Sequence, residues 1–589
     1  NPLYNATLNT SLKDKYTEVT DNFEGEYDIL QGFKAKVRIG FNRKFSRSDQ
    51  FYPANHLKFN TEQELQKKGS YQINEGESQT MNYDFSLNFS RQVKELHYLF
   101  GFLSYSLDET TYEENIYKAE GFPSDRMNSI FFARQYAEDT KPQGAESTTR
   151  NIGVNAVFNY SYDDRLLFDA TFRTNASSQF GANQRWGNFW SLGAGWNMHN
   201  EKWLRSKEWF SRLKLRASVG STGSQGNNAY QSLATYNYSE KNYENKLGAY
   251  LMGMENKDLK WQKKMDYNVG MDMSVKNNFN LVFDYYQSTT ENLLVAFTLP
   301  PSTGFTTVQE NVGKVRNTGI ELSMSYMVLS HPQDRTFLTL SLRAAHNKNR
   351  VVKISDSMKA YNEKMDEMAE SDSKLVTKYY DGVSMNAIWA VRSLGIDPAT
   401  GREIYLTKDG VSTYEYRAED MVVCGDNLPK LRGSFGINLG YKGFGLNVMC
   451  MYELGAKMYN ETLVDRVENV NMSYAVDKRV LEGRWQKPGD KVRFRSLKQV
   501  WDPEKQAYKV DEKTYATSRF VQKKNELNIS SINFSYDFFR HAFVKKMGME
   551  RLSVAFYMND VAKLSTIKTE RGLSYPFARN YNFSLQMTF

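Results

Sequence analysis

At 589 residues the chain is longer than the roughly 250–300 residues at which one soluble core stops growing, yet no Pro-, Gly- or Ser-rich linker divides it. Apolar residues make up 40%, mean hydropathy is −0.64, and no run approaches the roughly 18 consecutive apolar residues of a membrane helix; a helical membrane protein is excluded, and a β-barrel is not. The net charge of +8 is spread along the chain without a basic stripe, so it is not read as a nucleic-acid surface.

The predicted elements, in chain order, are strands. Met81, Tyr83, Phe85, Leu87 and Phe89 alternate with Asn82, Asp84, Ser86, Asn88 and Ser90. Ile152, Val154, Ala156, Phe158, Tyr160 and Tyr162 repeat the pattern, as do Met265, Tyr267, Val269, Met271 and Met273, then Leu431, Gly433, Phe435, Ile437 and Leu439. The last segment sets Tyr581, Phe583, Leu585, Met587 and Phe589 against Asn582, Ser584, Gln586 and Thr588. Successive side chains of a strand point to opposite faces, so every segment has one apolar and one polar face. A soluble sandwich alternates too, but its strands run nearer 5–6 residues than the about 10–16 expected here.

The connections alternate between short and long. Short turns are expected near Gln31-Gly32, Asp163-Asp164, Lys276-Asn278, His331-Asp334 and Tyr441-Gly443, with longer ones at 200–210 and 539–549. Long loops are expected over 50–78, 119–146, 177–186, 223–261, 293–312, 351–430, 459–521 and 563–577. All short turns fall on one side, the arrangement of a transmembrane barrel with tight periplasmic turns and long extracellular loops. The count is about 17 strands; since bacterial single-chain barrels close with even numbers, further N-terminal strands are expected beyond this chain.

Aromatics, 38 Tyr and 36 Phe among them, support this placement. Trp196, Trp203, Trp209, Tyr441, Phe444, Phe538, Phe539 and Phe589 gather at turn-side strand ends, where an interfacial girdle belongs. Cys424 and Cys450 form no metal motif, and Cys450 lies on an apolar parity, so no disulfide is expected. Asn1 opens no signal peptide, which an outer-membrane protein needs; residue 1 is therefore not expected to start the gene product.

Several stretches resemble the SusC/RagA family of TonB-dependent transporters. They are Phe172-Arg173-Thr174-Asn175-Ala176-Ser177-Ser178-Gln179-Phe180-Gly181, where the family has Asp-Gly in place of Asn175-Ala176; Arg185-Trp186-Gly187 to Trp203; and Leu213-Lys214-Leu215-Arg216-Ala217-Ser218 to Gly223-Ser224-Gln225. Leu299-Pro300-Pro301 to Phe305, Asn311-Val312-Gly313, Asn317-Thr318-Gly319-Ile320-Glu321 and Ser393-Leu394-Gly395-Ile396-Asp397-Pro398-Ala399-Thr400-Gly401 continue the set. The resemblance runs from Asn1 to Phe589. It implies a barrel of about 22 strands with an N-terminal plug, of which residues 1–589 are the later part. It also implies a SusD-type surface lipoprotein as lid, a dimer of transporter–lipoprotein pairs, and energy from TonB-ExbB-ExbD through the N-terminal region. Outer-membrane lipid and lipopolysaccharide are its surroundings, and an oligosaccharide or oligopeptide its cargo.

For substrate contact the candidates are loop aromatics and a cation: Tyr379, Tyr380, Trp389 and Arg392, and Trp501 with Tyr508. Their plainer reading is loop packing or lid contact. Asp502, Glu504, Asp511 and Glu512 lack the turn glycine and spacing of a calcium loop, and Gly220-Ser221-Thr222-Gly223 lacks a phosphate-loop lysine and reads as a strand end. Six scattered histidines offer no metal pair, so no enzyme, metal or cofactor is expected. The reading is import of glycans or oligopeptides across the outer membrane of a Gram-negative bacterium. The alternatives are a passive porin or adhesin barrel, or a soluble carbohydrate-binding or glycoside-hydrolase β-protein. The sequence does not choose between glycan and peptide.

Overall fold

The computed structural model describes residues 2–589 apart from 138–139, 208, 225–228, 239–245, 247, 299–306, 373–374, 471–476, 497–498, 503–506, 511–513, 539–540 and 569–577. Its frame is an 18-stranded antiparallel sheet in which seventeen strands run in chain order and one two-residue strand, Gln135–Tyr136, sits at the side. The seventeen are β1 (Ser11–Leu30), β2 (Phe33–Tyr52), β3 (Ser70–Val93), β4 (His97–Glu120), β5 (Gln143–Tyr162), β6 (Leu166–Ser177), β7 (Trp186–Asn197), β8 (Phe210–Ser224) and β9 (Gln262–Val275). They continue with β10 (Phe279–Thr298), β11 (Thr307–His331), β12 (Thr336–Lys353), β13 (Leu431–Tyr441), β14 (Phe444–Tyr459), β15 (Val521–Asp537), β16 (Arg551–Ser565) and β17 (Tyr581–Thr588). Each strand pairs with the next, so the sheet is an up-and-down barrel wall, and among the described residues β1 and β17 each keep one free edge.

Register carries the alternation across the wall. Gly40, Asn82 and Asp108 align on β2, β3 and β4, and Ile39, Tyr83 and Leu107 align one step away. A one-residue slip on any strand would put its apolar set on the wrong face, so the pattern fixes the register. The outward apolar side chains stay exposed, among them Phe85, Leu103, Phe158, Val269, Leu340 and Ile437; exposure on this scale is the mark of a surface meant for lipid.

Mirror-image two-residue turns match strand twist and need positive φ at both centres. Asp163-Asp164 (φ 52° and 51°) and Lys276-Asn277 (47° and 58°) have it. The same turn occurs at Lys94-Glu95 (50° and 57°), a position absent from the expected turns because neither residue type marks a turn. The other short connections fall where expected. The turn-side aromatics Trp196, Trp203, Trp209, Tyr441, Phe444 and Phe589 are exposed, and Lys276 Nζ lies 5.1 Å from the Trp209 ring. Phe539 lies outside the described residues.

The strands are longer than the alternation suggested, β11 reaching 25 residues and β3 and β4 24 each. In their loop-side halves charged residues stand on the outward parity as well as the inward one. On the outward parity Arg43 pairs with Glu77 at 2.6 Å, Arg47 with Glu75 at 2.8 Å and Arg150 with Glu109 at 2.5 Å. Above the lipid both faces are wet and the two-residue period fades, which is why sequence boundaries stop short. Buried apolar clusters lie in the long loops.

Candidate functional site on the inner wall and its outer loops

The polar face of the wall is built from short amides, hydroxyls and charges. At the β1–β3 end Lys34 pairs with Glu26 at 3.0 Å and Arg38 with Glu24 at 3.2 Å. A second charged tract crosses β8 to β15. Arg216 on β8 reaches over β9 to Asp284 on β10, Nη2 to Oδ2 2.7 Å, while its Nε donates to Asp272 Oδ1 at 3.1 Å. Gly270 makes that reach possible: it is the register partner of both Arg216 and Asp284, and a Cβ there would stand 2.6 Å from Arg216 Cζ.

Beyond Asp284, Glu321 lies directly opposite on β11, Ala345 opposite that on β12, Arg432 on β13 and Glu453 on β14. Arg343 sits two residues before Ala345 on the same face. Asp284, Glu321, Arg343, Arg432 and Glu453 line one open cavity of about 500 Å³. Glu453 takes Lys524 at 2.9 Å. Among the described residues, Glu321, Arg343 and Arg432 form no ion pair within 4.0 Å. Two hollows elsewhere, one beside Lys15 and Arg47 and one beside Phe131 and Tyr136, lie against the outward parity of β1 to β4.

Over the wall, the loop between β12 and β13 and the loop between β14 and β15 fold as one unit. A helix, α1 (Asp356–Asp372), and a four-stranded sheet centred on Ala387–Ile396 make the first. The second docks on it: Val391 N donates to Ala516 O at 3.1 Å, Ser393 N to Ser518 Oγ at 3.0 Å and Trp485 Nε1 to Pro398 O at 2.9 Å. Arg519 binds Glu403 and Glu468 at 2.7 Å each, with side chains only 6%, 3% and 0% exposed. Asp397 closes the Asp397-Pro398-Ala399-Thr400-Gly401 turn by accepting Thr400 Oγ1, the Ala399 N–H and the Tyr414 hydroxyl. Those donors, Thr400 foremost, hold its carboxyl below the usual aspartate range.

Four of the six candidate substrate residues come together in this unit. Tyr380 is exposed and lies 5.0 Å from the Trp389 ring, and Lys378 Nζ stands 5.8 Å and 5.7 Å from the two rings. Trp389 is 8% exposed, inside an apolar cluster, and its indole N–H has no partner among the described residues. Tyr379 packs 5.7 Å from Tyr361 while Asn362 clasps its backbone, taking its N–H at 2.8 Å and giving to its carbonyl at 2.6 Å; burial, then Tyr361, pushes its phenol pKa up. Arg392 donates to the Thr407 and Lys408 carbonyls. Trp501 and Tyr508 are apart from these, as opposite positions of the hairpin Gln499–Asp502 and Ala507–Val510. Of the acidic stretch, Glu504, Asp511 and Glu512 lie outside the described residues. So do Leu299 to Phe305, and Gln225. Cys424 and Cys450 are free.

The charged tract under the loops was not singled out from the sequence. Each member is one polar residue on the polar parity of its strand, like dozens of others, and register alone aligns them.

The family model described as TonB dependent receptor-like, beta-barrel matches residues 1–460. The chain belongs to that family. TonB-dependent receptor P39 of Formosa agariphila is 24% identical over 618 residues, covering 95% of this chain and 56% of that protein. TonB-dependent receptor SusC of Bacteroides thetaiotaomicron is 28% identical over 301 residues, 48% of this chain and 29% of that one, which bears out the resemblance read from the motifs. The solved structure of the RagAB peptide transporter superposes with a TM-score of 0.81 at 18% identity, over 96% of this chain and 60% of that one. The chain thus spans little more than half the length of the curated relatives that match it along its whole extent, 56% and 58% for two of them.

Proposed function

We propose that this chain is the later part of the wall of an outer-membrane, TonB-driven importer of oligomeric nutrients, with residues 1–589 as one barrel domain of several passes. The observation that carries the reading is the pairing of a wide polar inner face with a fused loop cap above it, in a chain of this family. Strands between the free edges of β1 and β17 close the barrel, and a plug fills the lumen, because a bore of this size leaks if left open. The cap is the natural seat of a SusD-type lipoprotein lid, and two such pairs form the assembly; lipopolysaccharide surrounds the outward face.

Import through a plugged bore requires work, and the outer membrane has no nucleotide to supply it. Cells carrying the full gene together with any lipoprotein gene found beside it are expected to accumulate a labelled oligomer, glycan or peptide, and to lose that uptake when TonB is deleted or the proton gradient collapsed. Uptake that survives both treatments would make the chain a passive porin. Within the cap, Tyr380, beside the Trp389 ring, is the residue we place against cargo, with Tyr379 and Arg392 in the same loop; Trp501 and Tyr508 stand at opposite register positions of a separate hairpin.

A further inference from the structure

We infer that the inner-wall cavity under the loop cap is a subsite for a carboxylate of the cargo, held by Arg343 and Arg432. The inference rests on the import reading and narrows its substrate class to acidic oligomers.

The charge inventory leads there. Arg343 faces Ser434 in the β12–β13 ladder and Arg432 faces Ala345, so the two arginines occupy diagonal positions on the same face of neighbouring strands. Diagonal neighbours lie about 7–8 Å apart at the backbone, within reach of one ligand group for side chains as long as arginine. Both are exposed to the cavity. Asp284 and Asp272 are matched by Arg216 and Arg212, and Glu453 and Glu526 by Lys524 and Lys563. What remains is two guanidinium groups and the single carboxylate of Glu321, a surplus of one positive charge.

Guanidinium groups side by side repel, and a planar fork of N–H donors matches a carboxylate with two parallel hydrogen bonds. One negative charge balances the surplus. A doubly charged phosphate would overshoot it while facing Glu321, Asp284 and Glu453, so the geometry points to a carboxylate. It can come from an acidic side chain or C-terminus of a peptide, or from a uronic-acid sugar. The strand position fits cargo: Arg432 is the second residue of β13, at the end that leads from the loop forming the cap.

The test uses the full-length transporter purified with any lipoprotein that accompanies it. Hexaglutamate and hexagalacturonate are titrated calorimetrically beside the neutral hexaglycine and maltohexaose. At least one acidic probe is expected to bind about tenfold more tightly than its neutral counterpart, to weaken about tenfold in R343Q/R432Q, and to weaken with added salt. E321Q, which removes a facing negative charge, is expected to tighten the same probe a few-fold, a gain that a misfolded barrel would not give. A response confined to hexaglutamate assigns a peptide carboxylate, and one confined to hexagalacturonate a uronate. Equal binding of acidic and neutral probes, or affinity unchanged in R343Q/R432Q, overturns the subsite. Binding is read without energy coupling, so uptake in cells that survives TonB deletion would sink the import reading separately.

Discussion

Gly270 and Gly181 look alike in the sequence, but a side chain would meet a different obstacle at each. At Gly270 the obstacle to a side chain is the guanidinium end of Arg216, at 2.6 Å, which can swing aside. At Gly181 it is the backbone carbonyl of Lys257, 2.1 Å from an ideal Cβ, where the strand-end loop locks against Leu259 through Gly181 N–H at 3.0 Å. Phe180 beside it is 1% exposed and stacks on Trp261 at 4.3 Å. Gly181→Ala is therefore expected to cost about 1–3 kcal/mol or more, and Gly270→Ala less, with Arg216 displaced from Asp284. The check is the temperature at which each folded barrel loses its fast mobility on an unboiled gel; an equal fall for both would contradict the distinction. The Phe-Gly end of this motif was legible as a family signature, while the reason for it, a loop about 75 residues further on, was not.

At the scale of elements, the loop cap holds together through charges that the sequence could not pair. Glu403, Glu468 and Arg519 come from two loops with a complete hairpin of the wall between them, so no spacing rule connects them. Removing one member of a buried charge network leaves the others uncompensated, at a cost of about 3–5 kcal/mol. Arg519→Met is expected to separate the two loops, seen as new protease cleavage within 387–426 and 460–520, with the barrel's heat-modified mobility retained. A cap as resistant as the wild type would show that apolar packing alone suffices. The Asp397 turn gives a pH handle on the same loop. Its carboxyl is held below the usual range by Thr400, Ala399 and Tyr414. A depressed folded-state pKa contributes stability above the unfolded value of about 3.9 and loses it as pH falls through the folded value. Cleavage near 397–401 is expected to stay constant from neutral pH down to about 4 and to rise only below it. Asp397→Asn is expected to cleave faster at neutral pH and to show no such rise; a variant with the wild-type profile would remove Asp397 from the role.

At the scale of the molecule, the two-residue period was enough to read the fold, because a barrel wall repeats one constraint on every strand: lipid on one side, water on the other. What it could not give was the end of each strand above the membrane, the Lys94-Glu95 turn, or the inner charged tract, since none of these alters the alternation. The same constraint makes a test in which neighbours on one strand behave oppositely. Ile437 and Asn438 are consecutive on β13; Ile437 pairs with the exposed Leu340 and Asn438 with Thr339. Ile437 is 38% exposed, a waste of apolar area for a protein in water but the required surface for one in lipid. An arginine at a lipid-facing position near mid-membrane costs about 2–4 kcal/mol, and one facing the lumen meets water. In lipid vesicles Ile437→Arg is therefore expected to lower the urea midpoint of the full-length barrel clearly, and Asn438→Arg to leave it nearly unchanged. If Asn438→Arg were the more damaging of the two, the apolar and polar faces would have been assigned the wrong way round, and the cavity beside Arg432 would open on lipid instead of cargo.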